Sequence, residues 1–174
     1  MRTTAAALAV ALAFAAGCQS MPAEAPRATA QLKPTTGNKT LGEVTFEELG
    51  GGKVRVVAQV INLKPKQEHG FHIHEAGDCS SGDGMSAKGH FNPFGKPHGN
   101  PGSADRHAGD LPSLKSDAKG RARLEVEVDL ITVSHGPASV IGRGLIVHAQ
   151  PDDHTTQPTG NAGARLACAV IHPG

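Results

Sequence analysis

The sequence predicts an all-β domain, an antiparallel sandwich or barrel interrupted by two long loops. Three observations predict it. Short runs of alternating or β-branched residues recur along the chain between Gly- and Pro-rich turns. No segment holds a helical period over three turns. Punctuation is dense, with 22 glycines and 12 prolines in 174 residues, as short strands joined by turns require.

The first element is not domain. Met1 to Thr4 carries one positive charge, at Arg2, and Ala5 to Ala16 is an uncharged run of Ala, Leu, Val and Phe. That run falls short of the roughly 20 apolar residues of a membrane span. Residues 1–17 therefore read as a secretory signal. The boundary "AAGC", Ala15 to Cys18, resembles a bacterial lipoprotein cleavage site, with Ala15 where Leu is usual. Cys18 is then expected as the lipidated first residue of an exported, periplasmic protein anchored to the membrane. Plain secretion without the lipid is the alternative. Residues 18–27 are small, polar and Pro-containing, a flexible tether, and residues 28–174 are the folded domain.

Within the domain, "GEVTFEEL" (42–49) alternates before the turn at Gly50-Gly51-Gly52, and "KVRVVAQVINL" (53–63) is β-branched. "HGFHIHE" (69–75), "ARLEVEVDLITV" (122–133), "GLIVHA" (144–149) and "RLACAVI" (165–171) continue the pattern. In "HGFHIHE" the two-residue spacing sends His72 and His74 to one side of the strand and Ile73 to the other. Two segments break the rhythm. Residues 75–116 hold eight glycines and four prolines, and residues 150–164 form a second loop. Loops of that length inside a domain tend to be functional or held by something else.

Charge excludes one class of partner. Lys plus Arg is 17 and Asp plus Glu is 16, so there is no basic footprint for a phosphate backbone, and nucleic acid is not expected. Cysteine count agrees with export: three is odd, and lipidation of Cys18 leaves Cys79 and Cys168 as a disulfide or as two buried thiols.

The ten histidines carry the chemistry. His74 stands at the entry of the first loop, His90, His98 and His107 lie within it, and Asp110 follows His107 by three residues. His148 ends the "GLIVH" strand. Three imidazoles and a carboxylate suit tetrahedral zinc, whereas an all-imidazole set suits copper(II). His135, His154 and His172 read as solvated surface residues.

Taken together, "HGFHIHEAGDC", "GHFNP", "RHAGDL", "LIVHA", Asp152-Asp153 and "GNAGARLACAVI" resemble the copper,zinc superoxide dismutases, in the family's order over residues 28–174. The resemblance implies a Greek-key eight-stranded β-barrel with two long functional loops. It implies disproportionation of superoxide to dioxygen and hydrogen peroxide by Cu(II)/Cu(I) cycling, with one copper and one zinc per chain. Copper falls to His72, His74, His90 and His148, and zinc to His90, His98, His107 and Asp110. His90 is then the imidazolate bridge and proton donor. Asp152 matches the carboxylate that ties His72 to His98. Arg165 matches the arginine that orients the anion, and His69 a histidine that braces the backbone near the site. Cys79 and Cys168 match the family's disulfide. The implied partner is the small-molecule substrate alone, in a monomer or homodimer.

The chain also departs from the pattern. The run between Cys79 and His90 resembles the bacterial periplasmic branch. The loop from Asp152 to Arg165 is short and has no lysine, which leaves Lys88 and Lys96 as candidates to attract the anion. A metal-delivery module would be expected to lack ligands that this chain keeps. A zinc hydrolase needs an open zinc position that four protein ligands close.

Overall fold

Alternation sorts the strands into a dry and a wet face. The computed structural model describes residues 24–174, so the expected signal and Cys18 lie outside the described residues. The strands are β1 (Arg27–Pro34), β2 (Leu41–Leu49), β3 (Lys53–Ile61), β4 (Glu68–His69), β5 (Phe71–His74), β6 (Leu114–Lys115), β7 (Ala122–Val128), β8 (Gly144–His148) and β9 (Arg165–Pro173). In β3 every second residue is buried, Val54, Val56, Ala58 and Val60, while Lys53, Gln59 and Ile61 stay exposed. β1 and β2 follow the same rule with Ala28, Ala30, Leu32, Val44 and Phe46.

Seven strands form one antiparallel sheet in the order β5-β8-β9-β1-β2-β3-β7, and β4 pairs with β6 as a separate ribbon. Two hairpins join β1, β2 and β3, and the last strand returns to lie beside β1, the Greek-key arrangement. Ile73 of β5, Val56 of β3 and Ala169 of β9 share one apolar cluster, so the sheet curls around its core. The eighth strand of the expected barrel is replaced by the short β4–β6 ribbon and by loop residues docked on the edge.

Three details depart from the sequence expectation. β1 was not among the expected strands, because its inward residues are mostly alanines rather than β-branched side chains. The run 122–133 stops at Val128, since Leu130 takes a left-handed φ of 63° that no strand accommodates. The only helical turn among the described residues is a 3₁₀ turn at Met85–Ala87. No helix among them is long and apolar enough to cross a membrane.

What positions the site is the outer edge of β5. Phe71 and Ile73 enter the core, so His72 and His74 project from the opposite face, all four buried. The long loop then uses β5 as a template: Phe91 N–H donates to Ile73 O (2.8 Å), Gly109 N–H to Phe91 O (2.9 Å), and Ile73 N–H to Gly109 O (3.0 Å). A Cβ at Gly109 would overlap the Ile73 carbonyl, so only glycine permits this approach. A loop without regular structure is thereby held against a strand at both His90 and Asp110.

Candidate metal centre

Seven buried side chains form two neighbouring donor sets. His72, His74, His90 and His148 make one; His90, His98, His107 and Asp110 make the other; within each set the donor atoms lie within 4.8 Å of one another. His90 belongs to both. β5 supplies His72 and His74, β8 supplies His148, and the first loop supplies the rest.

Hydrogen bonds on the far ring nitrogens fix the orientation of each imidazole. His72 Nε2 meets Asp152 Oδ2 at 2.6 Å, His74 Nδ1 donates to Lys88 O at 2.9 Å, and His148 Nδ1 donates to Gly163 O at 3.2 Å. The opposite nitrogens then converge, with His74 Nε2 and His148 Nε2 only 3.5 Å apart. His72 Nδ1 and His90 Nε2 are buried there with no hydrogen-bond partner. An unpartnered buried polar atom costs roughly 1–3 kcal/mol, which metal coordination would offset.

The second set is built on a divided carboxylate. Asp110 Oδ2 accepts from Gly99 N–H (3.1 Å) and His107 N–H (3.0 Å). Its Oδ1 is left facing three ring nitrogens, His90 Nδ1 at 2.8 Å, His98 Nδ1 at 3.1 Å and His107 Nδ1 at 3.3 Å. His98 Nδ1 makes no hydrogen bond despite that proximity. Three nitrogens and one oxygen around a common point fit tetrahedral zinc, and four converging imidazole nitrogens fit copper.

Asp152 joins the sets, since its Oδ1 meets His98 Nε2 at 2.8 Å while Oδ2 holds His72. Gly160, at φ 65°, leaves room for it: a Cβ there would overlap Asp152 Oδ1. Arg165, at the start of β9, is anchored by donation to Gly84 O and Lys88 O, each at 2.6 Å. It lines a cleft of about 250 Å³ together with His74, Met85, His90, His148 and Asn161. A larger groove of about 540 Å³ runs beside β1 and β9 near Cys79 and Cys168, but no donor cluster faces it. Cys79 and Cys168 are joined as a disulfide. His69 is buried and contacts the His148 carbonyl at 2.8 Å, outside both sets.

Sequence reasoning missed three contributors. His154, read as a surface residue, donates its backbone N–H to Asp152 Oδ1 at 2.9 Å, and its ring Nδ1 lies 3.5 Å from Oδ2. Lys88 holds both His74 and Arg165 on its carbonyl from a left-handed backbone at φ 64°. Gln157 grips the His98 backbone. His154 and Lys88 act through their own backbone groups, and Gln157 through its amide on the backbone of His98. Contacts to backbone carry no sequence signal. Lys96, by contrast, is paired with Asp105 at 2.8 Å, and Lys88 Nζ lies 3.8 Å from Glu75.

Burial and charge set the protonation of the metal-free cluster. Burial lowers His90 to about 4, only partly offset by Asp110, and lowers His148 to about 3, reinforced by neighbouring His72. Burial also opposes charge on His98, but Asp110 and Asp152 outweigh it and raise the ring to about 9. Burial pushes Asp110 and Asp152 up, yet the hydrogen bonds they accept hold both well below the usual carboxylate range. Unfolded histidine titrates near 6.5. As pH falls below about 6.5 the unfolded chain takes protons that folded His90 and His148 refuse, so stability is lost towards pH 4 and 3. The His98 contribution is complete below about 6.5 and lost as pH rises through about 9. Melting temperatures of the metal-free protein should therefore peak near neutrality; a flat profile from pH 4 to about 9 would contradict these assignments.

Comparison with known proteins agrees with this geometry. The family model described as copper/zinc superoxide dismutase matches residues 40–171. The chain is 40% identical over 149 residues to superoxide dismutase [Cu-Zn] 2 of Aquifex aeolicus (strain VF5), covering 83% of this chain and 86% of that protein. It is 43% identical over 136 residues to superoxide dismutase [Cu-Zn] of Paramecium bursaria Chlorella virus 1, covering 75% and 71%. The crystal structure of the clock protein EA4 superposes with a TM-score of 0.77 at 39% identity, covering 88% of this chain and 98% of that one. With its fold, its two donor sets and these likenesses in agreement, the chain belongs to the copper/zinc superoxide dismutase family.

Proposed function

We propose that this protein disproportionates superoxide, two superoxide ions and two protons giving one dioxygen and one hydrogen peroxide. The observation that supports it most is His90, which belongs to both donor sets, with Nδ1 2.8 Å from Asp110 Oδ1 and Nε2 buried without a hydrogen-bond partner. In this reading His72, His74, His90 and His148 hold copper, and His90, His98, His107 and Asp110 hold zinc. When bound, copper supplies the one-electron couple and zinc, which has no accessible redox state, a fixed positive charge.

The remaining work belongs to the chain. Arg165 presents a planar, permanently charged guanidinium at the cleft, and its two carbonyl anchors stop it from following the anion back to solvent. The cleft is small and its metal-facing nitrogens are buried, so only a small anion approaches them. His90 would hold and deliver the proton at Nε2, the buried ring nitrogen with no hydrogen-bond partner, while Nδ1 stays against Asp110 Oδ1 at 2.8 Å. Asp152 keeps His72 and His98 in register through that exchange.

The lipid anchor is part of the proposal. Arg2, the apolar run Ala5–Ala16 and "AAGC" support export to the periplasm and modification of Cys18. The test is metal analysis with a superoxide assay on purified protein, with intact mass measured on the same membrane-extracted sample. One copper and one zinc per chain are expected, with activity and copper lost together in His148→Ala while zinc remains. Full activity with zinc alone would overturn the enzymatic reading, and an unlipidated mature chain would remove the anchor.

A further inference from the structure

We infer that Gln157 is a positioning residue for zinc, its side-chain amide standing in for the β-strand partner that His98 lacks. The inference rests on His98 being a zinc ligand, as proposed above. His98 sits in an irregular stretch of the first loop, with no strand on either side to pair its backbone. Gln157 supplies the pairing from the second loop. Its Oε1 accepts the His98 N–H at 2.9 Å, and its Nε2 donates to the His98 carbonyl at 2.9 Å. This is the two-point pattern by which one residue of an antiparallel pair binds another.

A third contact comes from the same turn of chain, Asp152 Oδ1 to His98 Nε2 at 2.8 Å. Residues 152–157 therefore hold His98 at both backbone groups and at its far ring nitrogen. The one polar atom left is Nδ1, and it faces Asp110 Oδ1. The turn that delivers these contacts is itself braced. Asp153 accepts from the backbone N–H of Thr155 (2.9 Å) and Thr156 (2.7 Å) and from the Thr156 hydroxyl (2.6 Å). Gly160 N–H closes it on Thr156 O at 2.7 Å.

The amide is chemically specific to this task. Glutamine offers a donor and an acceptor in one plane. Glutamate keeps the acceptor, loses the donor and sets a negative charge against the His98 carbonyl. Alanine leaves both backbone groups to solvent. Gln157 makes no hydrogen bond to the other three zinc donors, so its loss acts first on one ligand of four, on one metal only. Partners of this kind change metal affinity by about 10- to 100-fold.

The experiment uses full-length protein loaded with copper and zinc, with release of each metal into a chromogenic chelator followed in time. Gln157→Ala and Gln157→Glu should both release zinc about 10- to 100-fold faster than the parent, with copper release changed less than about twofold. Unchanged zinc release would overturn the inference. So would equal acceleration of both metals, accompanied by a lower melting temperature of the metal-free protein, because that describes a general loss of stability. His98→Ala separates the two levels. If it retains zinc, the zinc assignment itself fails; if it loses zinc while Gln157→Ala does not, only the role of Gln157 fails.

Discussion

Replacing both Cys79 and Cys168 by serine should lower the unfolding free energy by about 4–5 kcal/mol, the chain-entropy value for a link between residues 89 apart. The effect is large because the loop that the bond closes spans half of the chain, and an uncrosslinked unfolded state regains all of that freedom. It should appear as a shift in denaturant midpoint of the metal-free protein, with the slope compared between variants to detect any change in the unfolded state. A loss under about 1 kcal/mol would show that the bond contributes little beyond the packing around it. Activity should fall further than stability alone predicts. Cys79 lies in the same loop as Gly84 and Lys88, whose carbonyls anchor Arg165, and Lys88 also anchors His74. The disulfide ties that loop to β9, the strand on which Arg165 stands. Loosening it frees the guanidinium, so the variant should lose rate at full copper occupancy.

Asp152→Ala should cost both metals. The carboxylate is the shared partner of His72 and His98, and removing it leaves two buried Nε2 atoms unsatisfied at roughly 1–3 kcal/mol each. Each ring then rotates more freely, and affinity for copper and for zinc should each fall by about 10- to 100-fold. Asp152→Asn should lie between the parent and Ala. Its amide oxygen can accept from one imidazole, but its NH₂ meets a second N–H donor, so only one side is served. Equilibrium competition against a chelator, with each metal measured separately, checks both variants. If Asp152→Ala retained both metals at parental affinity, the bridging role would be wrong.

The sequence alone reached far into this protein because the chemistry depends on residue types that are costly to place by chance. "HIH" on a strand places two candidate ligands on one face from the two-residue period alone, and Ile73 does enter the core behind them. The strands with β-branched inward residues were legible for the same reason. β1 was not, because burial of Ala28 and Ala30 is decided by the neighbours β2 and β9, not by their own side chains. The strand end at Val128 was hidden too, since a left-handed Leu130 leaves no compositional mark.

What the tertiary structure decided is how the loops are held. Many of the contacts that hold the candidate ligands are made to backbone carbonyls and N–H groups, at Lys88, Gly163, Gly109 and His98, and nearly every residue type carries both groups. Gln157 gains its partner His98 only when the second loop folds back over the first, across 59 residues of chain. The side chains that could bind metals are thus written in the sequence, which determines what chemistry is available. Which of their nitrogens point inward is set by hydrogen bonds between distant segments, and only the folded chain brings those segments together.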